Sequence, residues 1–74
     1  MIGTSFAGTQ VDARRIVSVL DNLHGAIEQC NALAAHYDRF GMRDEARAYD
    51  GRSLGLRHAA TLVQRLLDGL EAER

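Results

Sequence analysis

The apolar side chains of this chain recur at alternating steps of three and four residues almost from end to end. In the first half Ala13, Ile16, Leu20, Leu23, Ile27, Cys30, Ala34 and Tyr37 follow that rhythm. In the second half Met42, Ala46, Tyr49, Ser53, Leu56, Ala60, Val63, Leu67 and Leu70 do the same. A mean spacing of about 3.5 residues keeps side chains on one side of an α-helix, which turns once in about 3.6 residues. A strand would need alternation of period two, and no strand is expected here. The pattern is the heptad seam of two long helices that face each other or face partners.

Local chemistry suggests where those helices begin and end. Residues 1–8 hold Gly3, Gly8 and small polar side chains and are expected to form a flexible N-terminal arm, with Phe6 docking back onto the helices. Thr9 can cap a helix with its hydroxyl, and Asp12 stands where a capping-box acid would, so the first helix is expected over about 9–40. Phe40-Gly41-Met42-Arg43-Asp44-Glu45 reads as a stop and a restart. Gly41 can take the left-handed conformation that ends a helix, and Asp44 and Glu45 suit the positive end of the next. A turn over 41–43 and a second helix over about 44–71 complete a hairpin domain spanning 9–74. So short a connection makes the helices antiparallel neighbours.

The second helix contains one ambiguous segment, Asp50-Gly51-Arg52-Ser53-Leu54-Gly55. Asp-Gly is a turn signal and Ser53 could cap a third helix, while each helical Gly costs about 1 kcal/mol relative to Ala. The three-four spacing nevertheless crosses the segment without losing phase, which a loop has no reason to preserve. The expectation is one continuous helix, with Gly51–Gly55 the place where a break would fall. Gly51, Gly55 and Ala59, four apart, would leave a shallow groove that another helix could approach closely.

Composition narrows the function classes. The 74 residues are 46% hydrophobic and 26% charged with a net charge of −1, the profile of a soluble globular chain. That balance gives no sign of a nucleic acid or an acidic membrane as partner. All nine basic residues are Arg, as a GC-rich genome would produce, and the absence of Pro suits uninterrupted helices. No signal peptide, membrane span or myristoylation glycine is recognisable, and the single Cys30 rules out an intrachain disulfide, so the cytoplasm is the expected location. Cys30 lies on the apolar seam and reads as a small buried hydrophobe.

Candidate chemistry is sparse. Asp21, His24 and Glu28 could share a helix face and hold a metal, but they lie outside the seam and the second helix offers no matching pair, so a solvated face is expected and no metal or other cofactor. Cys30 and His36, or Ser53 and His58, do not form a nucleophile–base pair, so no catalytic residue is assigned and the chain is expected not to be an enzyme. Arg14-Arg15 and Arg43, Arg47, Arg52 and Arg57 alternate with acids, which fits a charge-paired surface better than a nucleic-acid patch.

A hairpin of two straight helices has no interior of its own. A second stripe, Val19, Ala26, Leu33 and Phe40, flanks the first seam, and Leu54, Leu62 and Leu66 lie beside the other. Apolar surface of that extent marks an interface. The simplest closure is a twofold homodimer making a four-helix bundle. Its interface is expected to include Ile16, Val19, Leu20, Leu23, Ile27, Leu33, Tyr37 and Phe40 of the first helix. From the second it would take Leu56, Val63, Leu66, Leu67 and Leu70. Arg47, Leu54, His58, Leu62 and Arg65 lie off the seam and are expected to face a protein partner.

The stretch from Cys30 to Ser53 resembles one tetratricopeptide-type helical hairpin. Leu33, Ala34 and Tyr37 stand where that pattern has its Leu, small residue and Tyr, Gly41 takes the turn, and Ala46 is the small residue of the second helix. Cys30, Asp50 and His58 depart from the pattern, where it has two aromatics and a Pro, and no second copy follows one period later. The resemblance implies helix-pair packing of the same kind and no more. These features together lead to a small, non-enzymatic, all-α interaction module that self-associates and binds a protein partner, an adaptor or inhibitor of the sort phages and other mobile elements of bacteria encode. A small dimeric helical nucleic-acid-binding regulator is the second reading.

Overall fold

The computed structural model describes the backbone of residues 2–73 and side chains from Ala13 to Glu73. Two helices, α1 (Ile2–Arg39) and α2 (Arg43–Ala72), pack against each other as an antiparallel hairpin. The turn between them follows from Gly41, whose φ of 73° lies in the left-handed region. With Gly41 so placed, the Met42 amide donates to the Tyr37 carbonyl at 2.9 Å and the Gly41 amide to the Asp38 carbonyl at 3.0 Å. This is the Schellman closure, which satisfies carbonyls that the end of α1 would otherwise leave unpaired. Asp44 and Glu45 lie in the first turn of α2, where the helix dipole favours negative charge.

α1 starts at Ile2, seven residues ahead of the start expected at Thr9, so the described backbone is helical where an arm was expected. Extending an existing helix adds one hydrogen bond per residue, and no Pro interrupts residues 2–8; a good capping residue within the run does not force a start. The expected docking of Phe6 lies outside the described side chains. α2 is continuous from Arg43 to Ala72, through Gly51 and Gly55. Each helix alone is 30 residues or longer, whereas a tetratricopeptide unit folds two helices within about 34 residues, so the likeness over Cys30–Ser53 ends at the local packing.

The register follows from the turn. Tyr37 stacks on Tyr49 with ring centroids 5.6 Å apart, and the Ser53 hydroxyl meets the Asn31 side chain at 2.7 Å. Both pairs are mirrored about positions 42 and 43. By that mirror the end of α2 stands opposite Ala13, and residues 2–12 of α1 continue past it. The resulting rod measures 56 × 17 × 16 Å with a radius of gyration of 16.8 Å. A compact domain of this length would have a radius near 11 Å.

Every described seam residue is buried or half-buried except Met42, which is exposed beside the turn. In α2 the buried positions are Ala46, Ser53, Ala60 and Leu67, spaced by sevens, and in α1 they are Leu20 and Ala34. The seam therefore has two zones. Near the turn, Ala34, Ala46 and Ser53 let the helix axes approach closely. Farther out, Leu20, Ala60 and Leu67 form a cluster with Ile16, Leu23, Ile27 and Val63. Burying a Leu contributes roughly 1.5–3 kcal/mol, so Leu20 and Leu67 anchor the far end. Among the described residues no side chain reaches complete burial, which shows how thin this core is.

The turn gives a direct test. Gly41→Ala introduces no clash, since no atom lies within 4 Å of the new Cβ, but it forces Ala into the left-handed region. It is expected to lower stability by about 1 kcal/mol, or roughly 4–8 °C in melting temperature. Gly51→Ala, also in open space but helical, is expected to raise stability by about 0.5–1 kcal/mol. Thermal denaturation followed by circular dichroism measures both.

Candidate functional site

Two packed helices leave two flanks, and here they differ in chemistry. One flank is built from the α1 row Val17, His24, Asn31 and Asp38 and the α2 row Asp50, Arg57, Gln64 and Glu71, with Asp21, Glu28, Arg47, Leu54 and Asp68 farther out; Val17 and Leu54 are its exposed apolar members. An open groove of roughly 350 Å³ runs along it near the turn, floored by Ala34, Ala35 and Ala46 and edged by Asn31, Asp38 and Asp50. Ser53, only 3% exposed, opens toward this side and donates its hydroxyl hydrogen to Asn31 Oδ1. A buried hydroxyl without a partner is costly, so this bond removes the penalty of placing Ser on the seam. Gln64 Nε2 also donates to Asp68 Oδ1 at 2.9 Å on this flank.

The other flank carries the α1 row Val19, Ala26, Leu33 and Phe40 and the α2 row Arg52, Ala59 and Leu66, with Ala48, Gly55, Leu62 and Gly69 as the outer row of α2. Ala26, Leu33 and Ala59 are half-buried, whereas Val19, Leu62 and Leu66 are about half exposed, at 48%, 50% and 55%. Its charges lie toward the ends, with Glu45 and Arg52 near the turn and Arg15 and Glu73 at the far end. Arg52 lies with its guanidinium 5.2 Å from the Tyr49 ring centre, which draws the cation onto an aromatic face. At the turn end the flank closes in aromatics: His36 sits 4.9 Å from Phe40 and 5.5 Å from Tyr37, ring to ring.

The residues expected at an oligomer interface divide accordingly. Leu20 and Leu67 are buried within the hairpin itself. Ile16, Leu23, Ile27, Leu33, Tyr37, Leu56, Val63 and Leu70 are half-buried between the helices. Val19, Phe40 and Leu66 remain exposed on the apolar flank. Arg47, Leu54, His58, Leu62 and Arg65, the expected partner surface, are all exposed and lie along the outward side of α2, with His58 between the two leucines. A row stepping by four winds about 40° around the helix per step, because four residues overshoot one turn. Leu54 thus leans toward the polar flank, with Asp50, Gly51, Arg57 and His58 as its helical neighbours, while Leu62 adjoins Leu66 and Ala59 on the apolar one.

Other candidate chemistry stays dispersed. Asp21, His24 and Glu28 are exposed, and among the described residues no three His, Cys, Asp or Glu side chains come together to hold a metal. Cys30 is a free thiol half-buried in the seam. Ser53 faces α1 while His58 points away from it. Arg43, Arg47 and Arg57 are exposed on one side of α2 with Asp50 among them, and Arg52 is exposed on the other flank. The tyrosine stack, the groove and the Asn31–Ser53 bond were not anticipated from the sequence. A signal for the last existed: Ser53 on an apolar seam needs a partner, and mirroring it about the Gly41–Met42 turn points to Asn31.

No protein-family model matches the chain, and neither a curated protein nor a solved structure shows significant similarity to it. Its class therefore rests on its own architecture, an all-helical antiparallel hairpin. Among the described residues no helix is long and apolar enough to cross a membrane.

Ser53→Ala and Asn31→Ala each break the interhelical bond. Each is expected to cost about 1 kcal/mol, and the double variant little more than either single one, giving a coupling energy of about 0.5–1.5 kcal/mol by urea denaturation.

Proposed function

We propose that this chain is a small, non-enzymatic interaction module that acts in the cytoplasm, self-associates through its apolar side chains and presents a helical surface to a protein partner. The observation that carries this reading is the exposed apolar surface, with Val19, Leu62 and Leu66 half open to solvent and Leu54 and Phe40 each 70% exposed. Solvent-exposed apolar area beyond scattered single residues is the signature of an interaction surface. The groove near the turn is open and floored by three alanines, which supply no nucleophile, acid or base.

The charge pattern favours a protein partner over a nucleic acid. Phosphate-driven binding needs cations free of neighbouring carboxylates, whereas the exposed Arg43, Arg47, Arg57 and Arg65 share their side of α2 with Asp50 and Asp68, and Arg52 lies apart from them.

Fluorescence titrations against generic duplex DNA and single-stranded RNA at two salt concentrations test the reading. Binding that stays undetectable at micromolar nucleic acid is the expected result. Micromolar binding that weakens steeply as salt rises would replace the protein-partner reading with the nucleic-acid one.

A further inference from the structure

We propose that Tyr37 and Tyr49 form an oxidative cross-linking site, at which a one-electron oxidant joins the two rings by a carbon–carbon bond and closes the hairpin covalently. The proposal does not depend on self-association, because both rings belong to one chain.

The chain has two tyrosines, and the fold brings them together. Tyr37 lies in the last turn of α1 and Tyr49 in the second turn of α2. Their rings stack across the seam with centroids 5.6 Å apart and planes 8° from parallel. Stacking at this distance is a favourable arrangement for two aromatic rings. Each ring is also steadied from its own helix. His36 meets Tyr37 edge-on with centroids 5.5 Å apart, and the Arg52 guanidinium lies 5.2 Å from the centre of the Tyr49 ring. Close by, the Met42 amide donates to the Tyr37 carbonyl at 2.9 Å and fixes the path of the turn between the two. Both tyrosines are half-buried, so the rings are held in place yet remain within reach of an electron acceptor in solution.

The chemistry is that of paired phenols. Each ring gives one electron to the oxidant and its hydroxyl proton to water, leaving a phenoxyl radical whose unpaired electron is shared with the ring carbons beside the oxygen. The two radicals combine at those carbons, and the hydrogen displaced from each carbon returns to the oxygen of its own ring. Two electrons and two protons leave in total, and both phenols are restored around the new bond. Radicals on separate molecules must meet by diffusion, whereas two held face to face need only a small swing of their rings, the advantage that proximity gives to any coupling of two groups. The bond spans the turn and ties α1 to α2. A cross-link of this kind removes freedom chiefly from the unfolded chain, so the closed hairpin resists unfolding.

Cys30, half-buried one heptad before Tyr37 on the same seam, is the competing group, because a thiol returns a hydrogen atom to a phenoxyl radical and becomes a thiyl radical itself.

Photo-oxidation of the full chain by a ruthenium(III) complex, a one-electron acceptor, tests the proposal in a Cys30→Ser background that removes this thiol. The expected product has the chain mass less two hydrogens and dityrosine fluorescence, and trypsin releases from it the peptide Ile16–Arg39 joined to Ala48–Arg52. Its yield is expected to be several-fold higher in the folded protein than in concentrated urea, where the stack is lost and only nearness in sequence remains. The pair Ala48→Tyr, Tyr49→Phe moves the second phenol one position around α2 to an exposed site at nearly the same separation in sequence, and is expected to lose most of that advantage. The linked chain is expected to melt at a higher temperature than the unlinked one. Dityrosine found only in products of twice the chain mass, a yield as high in urea or in the shifted variant as in the folded parent, or a linked chain that melts no higher would overturn the proposal.

Discussion

Everything in this molecule depends on how closely two helices can approach along a seam of small residues. Ala34 on α1 and Ala46, Ser53 and Ala60 on α2 are the positions most withdrawn from solvent, with Leu20 and Leu67 closing the far end. Small seam residues let the helix axes come near each other but offer little side-chain volume to bury. The outcome is a hairpin with good contact and a shallow core. Depth is then lacking at the flanks, where Leu62, Leu66 and Val19 remain half in water. The Gly41 closure sets the antiparallel register that aligns Ser53 with Asn31 and Tyr37 with Tyr49.

That register also sorts the surface. One flank collects Asn31, Asp38 and Asp50 around a groove, with Val17 and Leu54 exposed beside them, and the other collects Val19, Leu33 and Leu66 between Arg52 and Glu73, so the two sides of one seam differ in chemistry. A surface sorted in this way gives direction to association. Uncovered apolar side chains such as Leu62 and Leu66 favour association where they adjoin, and nearby charges limit it elsewhere.

Much of the fold was legible in the residues, for physical reasons that also show where legibility ends. The three-four rhythm through Ile16, Leu20, Leu23 and Ile27 and through Leu56, Ala60, Val63 and Leu67 reports one helix face directly, and the structure places those residues between the helices. Unbroken phase across Gly51 and Gly55 gave the continuity of α2. The start of α1 was misjudged because Thr9 has the chemistry of a cap whether or not the helix uses it. The surface was harder to read. Leu54, His58 and Leu62 step by four along the outward side of α2, and a drift of about 40° per step sets Leu54 nearer one flank and Leu62 nearer the other. Relations across the seam, such as Asn31 with Ser53, need both helices and the turn at once, and periodicity within one helix carries no such information.

The central claim is that the hairpin is incomplete across its width. Small-angle X-ray scattering with absolute intensity calibration tests that claim most directly, because it reports mass and longest dimension together. The account predicts twice the chain mass with a maximum dimension still near the 56 Å of one rod, since side-by-side pairing thickens the particle without lengthening it. A single-chain mass, or a doubled mass with a dimension close to twice that length, would contradict it.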